Sequence, residues 1–171
     1  MTEILWIGRG GQGAFTAAKL LGAAYAAKSG EVCSLAFPSF GPERRGAPVR
    51  AFTKLDTAPV LDRSETERAD YIVILDATLY SPALQSHLKE GGRILVNSKA
   101  ALDGCITLDA DALAQSLRLP VVNTVMLGAL SGLSGIVDPQ DLSYAISHYM
   151  PARIREKNLE AAARAAQEVS A

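Results

Sequence analysis

Cysteine and histidine are scarce, two of each in 171 residues. Cys33 and Cys105 lie far apart, whereas an iron–sulfur cluster draws four thiolates from a tight pattern, so this chain is expected to hold none. Both stand in apolar runs, as small buried hydrophobes do, and a disulfide is not expected in a reducing compartment. His87 and His148 are isolated in polar, helix-like surroundings, which suits surface positions, and no His/Cys/carboxylate cluster marks a metal site. An excess of charge of either sign is missing as well. The formal net charge is −1, which excludes the basic field of a nucleic-acid or anionic-membrane binder. No apolar run approaches the roughly 20 residues that span a bilayer. The N-terminus lacks the basic start and cleavage site of a secretory signal. A cytoplasmic protein without nucleic-acid or membrane partners is expected.

What is present suits one domain spanning residues 1–171, with 49% apolar residues to fill a core. Glu3 to Ile7 reads as a buried strand, Gly8 to Gly13 as a turn, and Ala14 to Lys28 as an Ala-rich helix stopped by Ser29-Gly30. Val32 to Phe37 is a second strand, so the three elements form a βαβ unit with parallel pairing. Val49 to Leu55 alternates as a strand does, with Val49, Ala51 and Thr53 on one side and Arg50, Phe52 and Lys54 on the other. Asp56 to Ala58 is a turn. Tyr71 to Leu75 is the clearest buried strand. Pro82 to Glu90 reads as a helix closed by Gly91-Gly92, Arg93 to Asn97 and Gly104 to Leu108 as strands, and Asp109 to Leu117 as a helix with Asp at its positive end. Val121-Val122 reads as a short strand into Asn123. Helices follow over Thr124 to Leu133, Asp138 to His148 and Pro151 to Val169. This alternation predicts a three-layer α/β/α sandwich on a mostly parallel, Rossmann-like sheet.

Gly8-Arg9-Gly10-Gly11-Gln12-Gly13 satisfies G-x-G-x-x-G between a strand and a helix. Glycines there admit close backbone approach, and free N–H groups at a helix start attract anions. A dinucleotide site also wants an acidic residue about 20 positions on, at the end of the second strand, to hold the ribose. That strand ends Leu35-Ala36-Phe37-Pro38, with no carboxylate. A P-loop is excluded too, because Ala14-Phe15 stand where Lys-Ser/Thr belongs. Two readings remain for the loop: an anion site, or a tight turn that packs helix on strand or seats a partner chain.

Residues 37–50 carry Phe37, Phe40, Glu43, Arg44, Arg45 and Arg50 among Pro and Gly. Proline limits the entropy lost on docking, and adjacent arginines can bind phosphate or carboxylate bidentately. A partner-facing or ligand-facing loop is one reading, and a surface loop with Arg44 or Arg45 paired to a local carboxylate is the other. Asp76-Ala77-Thr78 stands at the carboxyl end of a strand, where open α/β sheets bind ligands, though an Asp in a turn or cap is the simpler reading. Asn123 is open between an N-cap and a ligand contact. No Ser/His/Asp or Cys/His arrangement and no acid/base pair is apparent, so the residues do not form a catalytic machine by themselves.

Gly-Arg-Gly-Gly-Gln-Gly-Ala at 8–14 and Ser-Phe-Gly-Pro-Glu-Arg-Arg-Gly-Ala-Pro-Val at 39–49 resemble the gamma subunit of pyruvate:ferredoxin oxidoreductase and related 2-oxoacid:acceptor oxidoreductases. Val-Val-Asn-Thr-Val-Met-Leu-Gly-Ala at 121–129 and Asn158-Leu159-Glu160-Ala161 fit the same family. The resemblance covers essentially the whole chain and implies a gamma-type domain in a complex with alpha, beta and delta-type subunits. It implies that those partners hold thiamine diphosphate, magnesium and [4Fe-4S] clusters and pass electrons to ferredoxin or to an NAD-linked flavoprotein subunit. It also implies an acyl transfer to coenzyme A, of which this chain would contact a part. The ligand contacts expected on this basis are Gly8, Arg9, Gly10, Gly11, Gln12, Gly13, Arg44, Arg45 and Asn123. Two alternatives stand beside it: a small Rossmann-type NAD(P) oxidoreductase, and a purely structural subunit that binds no ligand.

Overall fold

Each strand sends alternate apolar residues to opposite faces of one sheet, and the two sets build two separate cores. The structure is a computed structural model and describes residues 1–39 and 45–170. Its elements are β1 (Thr2–Arg9), α1 (Ala14–Ala26), β2 (Cys33–Pro38), β3 (Pro48–Asp56), β4 (Ala69–Ile74), β5 (Leu88–Asn97), β6 (Ile106–Leu108), α2 (Ala110–Ser116), α3 (Asn123–Ser134), α4 (Pro139–Tyr149) and α5 (Ala152–Ser170), with 3-10 turns at Ala77–Leu79 and Pro82–His87. The sheet runs β2-β3-β1-β4-β5-β6. β1, β4, β5 and β6 pair in parallel, while β3 is antiparallel to both β1 and β2. The expected class, a mixed α/β domain on a mostly parallel sheet, is what forms.

Ile4 and Trp6 of β1, Val73 of β4 and Leu95 of β5 point to one face, where all five helices contribute to the core. Leu5, Ile7, Ile72, Ile74, Ile94 and Val96 point to the other. A buried relay crosses the helical layer: Trp6 Nε1 donates to Thr53 Oγ1 at 3.0 Å, and Thr53 Oγ1 donates to the Ala18 carbonyl at 3.1 Å. It ties β1 and β3 to α1 and fixes the helix beneath the glycine turn. Buried polar groups are tolerated when bonded in this way.

Four expectations need correction. β1 and β2 do not pair, because β3 lies between them; strand propensity cannot show which partner a chain segment returns to. Pro82 to Glu90 is not an α-helix. Its only large apolar side chains are Leu84 and Leu88, too few for an amphipathic stripe; a 3-10 turn forms and the chain enters β5 at Leu88. Gly91 and Gly92 therefore follow no helix. They sit in β5 where its register with β4 shifts between Ala69 and Tyr71, and a Cβ on Gly92 would lie 3.0 Å from the Ala69 carbonyl. Val121-Val122 is not a strand; Val122 is the N-cap of α3.

The first of the three layers is thus fully helical and the third is thin. The second face is covered by the two 3-10 turns and by Leu102 and Cys105 ahead of β6, and the segment 57–68 runs along its edge near Leu5 and Leu84. That segment is strapped down by Lys54, which is 1% exposed and reaches Asp62 at 2.5 Å and Glu3 at 3.4 Å. Thr66 adds a bond to Glu3 at 3.1 Å. Cys33 and Cys105 are half-buried rather than fully buried, and His87 and His148 are exposed as expected. Among the described residues, no helix is long and apolar enough to cross a membrane.

Candidate functional site

The two loops singled out in the sequence meet in space. Gly10 and Arg45 form a parallel bridge. Gly10 N donates to the Ala47 carbonyl at 2.8 Å, and Gly46 N donates to the Gly10 carbonyl at 3.0 Å. The pairing continues the β1–β3 ladder past Arg9–Pro48, so the antiparallel strand β3 carries the end of the Pro-Arg loop to the glycine turn. A Cβ on Gly11 would lie 4.0 Å from Arg45 Cγ, which places the stem of exposed Arg45 directly beside the turn. Phe40, Glu43 and the expected contact Arg44 lie outside the described residues.

Within the turn, most groups are already bonded. Arg9 N donates to Gln12 Oε1 at 2.7 Å, and Gln12 N donates to the Arg9 carbonyl at 2.9 Å. Among the described residues, no backbone bond outside a helix or strand takes the N–H of Gly11 or Gly13. Those two amides, with the first turn of α1, are the donors an anion would find. Both residues need glycine's freedom, with φ of 96° at Gly11 and 83° at Gly13.

Arg9 is held by the protein itself. Its Nε donates to Asp76 Oδ2 at 2.8 Å, one terminal nitrogen to the Gly46 carbonyl at 3.1 Å, and the other to Thr78 Oγ1 at 2.7 Å. Asp76 also caps the following 3-10 turn through Thr78 N at 3.0 Å, so its turn reading holds and its second partner is Arg9. Partial burial pushes the Asp76 carboxyl up. The hydroxyl and amide of Thr78 and the Arg9 guanidinium outweigh that and hold it below the usual carboxylate range. This cluster closes the crevice between the carboxyl ends of β1 and β4. That crevice is the switch point of the sheet, where a dinucleotide enters open α/β folds. An antiparallel β3 also stands where such folds place the ribose-binding strand. Among the described residues, no carboxylate stands at the end of β2 to act as the acidic anchor a nicotinamide cofactor's ribose needs.

Asn123 lies on the far side of the turn. It is the first residue of α3 rather than its N-cap, and its Oδ1 accepts from Thr124 N at 2.9 Å. Its side chain is buried against Gly13, to which a Cβ could not be added without coming 2.6 Å from Nδ2. Behind it, Thr124 Oγ1 donates to Asn158 Oδ1 at 2.6 Å, and Asn158 Nδ2 donates to the Ile154 carbonyl at 2.7 Å. α3 is pinned to α5 by this pair and by Gly128 and Gly132, where a Cβ would come 2.2 Å from the carbonyls of Ala162 and Ala166.

Sequence reasoning missed two features beside the turn. Asn97 receives N–H bonds from Ala110 and Asp111 and donates to the Leu75 carbonyl and to Asp111, anchoring α2 to the sheet. The only cue is an Asn ending a strand a dozen residues before a helix. The second is a cleft of about 400 Å³ between Gln12 and the C-terminal end of α2, which no local pattern announces. Among the described residues, no group of three or more His, Cys, Asp or Glu is placed to hold a metal ion.

Known proteins resemble this chain over nearly its whole length. A family model described as pyruvate ferredoxin/flavodoxin oxidoreductase matches residues 3–168. Pyruvate synthase subunit PorC of Methanothermobacter thermautotrophicus is 45% identical over 175 residues, covering 99% of this chain and 96% of its own. The pyruvate/ketoisovalerate oxidoreductases common subunit gamma of Thermococcus kodakarensis is 38% identical, covering 95% and 94%. The crystal structure of pyruvate oxidoreductase subunit PORC from Thermotoga maritima superposes with a TM-score of 0.82 at 32% identity, covering 97% of this chain and 95% of that one.

Proposed function

Since the chain belongs to the pyruvate ferredoxin/flavodoxin oxidoreductase family, as the gamma-type subunit of a 2-oxoacid oxidoreductase complex, we propose that its glycine turn and Arg loop hold coenzyme A against an active site built by partner chains. In this reading alpha, beta and delta-type partners carry thiamine diphosphate, magnesium and [4Fe-4S] clusters. The complex oxidises a 2-oxoacid such as pyruvate or phenylglyoxylate in the cytoplasm and passes electrons to ferredoxin or to an NAD-linked flavoprotein subunit. Coenzyme A, when bound, supplies the thiol that accepts the acyl group.

The observation that carries the proposal is the Gly10–Arg45 bridge. It sets the side-chain stem of exposed Arg45 beside a turn whose Gly11 and Gly13 amides are left for an anion. Charge-assisted bonds from such groups suit a diphosphate. The expected contacts divide into two roles. Gly11, Gly13 and Arg45, with Arg44, bind. Gly8, Gly10, Gln12 and Asn123 shape the turn. Arg9 positions it, because three of its donors are spent on Asp76, Thr78 and Gly46. That locked Arg9 also favours the second reading, a structural subunit without a ligand.

Purification through a tag on this chain tests the assignment. The tagged chain should bring down thiamine- and cluster-bearing subunits, and the complex should oxidise a 2-oxoacid only when coenzyme A is supplied. A tagged chain that purifies alone, or a complex indifferent to coenzyme A, overturns it.

A further inference from the structure

β3 and β4 are joined by more chain than the sheet requires. β3 runs antiparallel to β1 and β4 runs parallel to it, so β3 ends where β4 begins, with β1 between them. Two strand spacings, roughly 10 Å, separate those ends, and about three or four extended residues would bridge them. Residues 57–68 are used instead. Surface excursions of this length between close ends are commonly functional.

The excursion climbs along β3 towards the Pro-Arg loop. At its lower end Lys54, 1% exposed, holds Asp62 at 2.5 Å. Asp62 Oδ1 accepts from Ser64 N at 2.9 Å and from Ser64 Oγ at 2.7 Å. The Lys54 ammonium and the Ser64 bonds hold the Asp62 carboxyl well below the usual carboxylate range, so this tether is charged at neutral pH. The next residue, Glu65, lines a cleft with Arg50 and Leu5 and accepts a hydrogen bond from Ser39 Oγ. The chain then descends, and Thr66 Oγ1 donates to Glu3 Oε1 at 3.1 Å.

Ser39 is where the Pro-Arg loop leaves the sheet. Its N–H donates to the Arg50 carbonyl at 2.9 Å, one step past the Pro38–Ala51 pair of β2 and β3. Phe37, just before it, stacks on Phe52 with ring centroids 5.2 Å apart. The other end of the loop is fixed by the Gly10–Arg45 bridge. Sheet bonds thus hold the backbone at both ends, and Glu65 adds a charge-assisted bond from outside the sheet at the first. A loop fixed in this way has less freedom to lose when its arginine meets an anion.

Resting on the coenzyme A reading above, we infer that Glu65 is a positioning residue: through Ser39 it preorganises the Pro-Arg loop for the anionic ligand, with residues 57–68 as its brace. Glu65 itself touches no ligand. It lowers the ordering cost of binding, so it acts on affinity and leaves turnover alone.

Calorimetric binding of coenzyme A to the assembled complex tests this, with kcat and the KM for the 2-oxoacid read alongside. Glu65→Ala should weaken coenzyme A about fivefold, the scale of one hydrogen bond, with kcat and the 2-oxoacid KM unchanged. Glu65→Gln keeps the acceptor oxygen and should recover most of the affinity. Ser39→Ala removes the same bond from the other side. It should match Glu65→Ala, and the double variant should be no weaker than either single one. Unchanged affinity in Glu65→Ala, no recovery in Glu65→Gln, or additive losses in the double variant overturns the inference. A parallel fall in kcat marks a general structural role and overturns it too. Arg45→Ala is the control for the underlying reading: a loss there without one in Glu65→Ala removes the brace alone, and no loss in either variant removes the coenzyme A site as well.

Discussion

Asn123 rests directly on Gly13: a Cβ on Gly13 would lie 2.6 Å from Asn123 Nδ2 and 3.0 Å from its Cγ. Two helix starts, 110 positions apart in sequence, meet there face to face. Gly13 caps α1 in the left-handed region, and Asn123 opens α3. The position rejects a side chain twice over, through its backbone angle and through its neighbour.

Gly13→Ala should therefore destabilise the chain by roughly 1–3 kcal/mol, from left-handed strain plus overpacking. Adding Asn123→Ala should restore the steric share and leave the backbone share. Urea unfolding of the two variants and of the double variant measures this. Full additivity would show that the two residues do not touch.

The contact between α3 and α5 is tighter still. Gly132→Ala would drive a Cβ to 2.2 Å from the Ala166 carbonyl, and Gly128→Ala would do the same at Ala162. Neither neighbour is a flexible side chain, so the helices must part. Each variant should lose about 2–4 kcal/mol, the upper range for overpacking, and thermal unfolding should show it. Ser131→Ala, on the same helix but outside this ridge, should cost less, about 1 kcal/mol for its hydroxyl bond to the Val137 carbonyl.

The Arg9–Asp76 pair sets a pH dependence. Asp76 titrates below its ordinary value of 3.8. A carboxylate with a lowered folded-state pKa contributes stability that is fully present above the unfolded value and is lost as pH falls through the folded one. Asp76→Asn should thus lower the melting temperature at neutral pH, and the gap from wild type should close below pH 4. A gap that is constant down to pH 3 would show that the charge of Asp76 plays no part.

The sequence made the elements nearest the turn plain, since β1, α1 and β4 combine length, apolar runs and punctuation by glycine. The family motifs marked both loops. Long-range facts were hidden. Nothing local shows that β3 inserts beside β1, that Arg9 is bound to Asp76 sixty-seven positions away, or that Asn123 rests on Gly13. Pro82 to Glu90 misled because a proline start and a glycine end imitate helix boundaries, while the two leucines between them cannot anchor a helix. The left-handed backbone of Arg118, φ 55° just past the end of α2, is imposed by the way that helix ends, and its residue type carries no sign of it.

The central claim is that this subunit holds coenzyme A through Arg45 and the glycine turn. The direct measurement is the affinity of the assembled complex for coenzyme A, with the KM for the 2-oxoacid read alongside. Arg45→Ala should weaken coenzyme A by about tenfold, the scale of one charge-assisted contact. The KM for the 2-oxoacid and the subunit composition should not change. Unchanged coenzyme A affinity in an intact complex would contradict the claim and leave a structural subunit in its place.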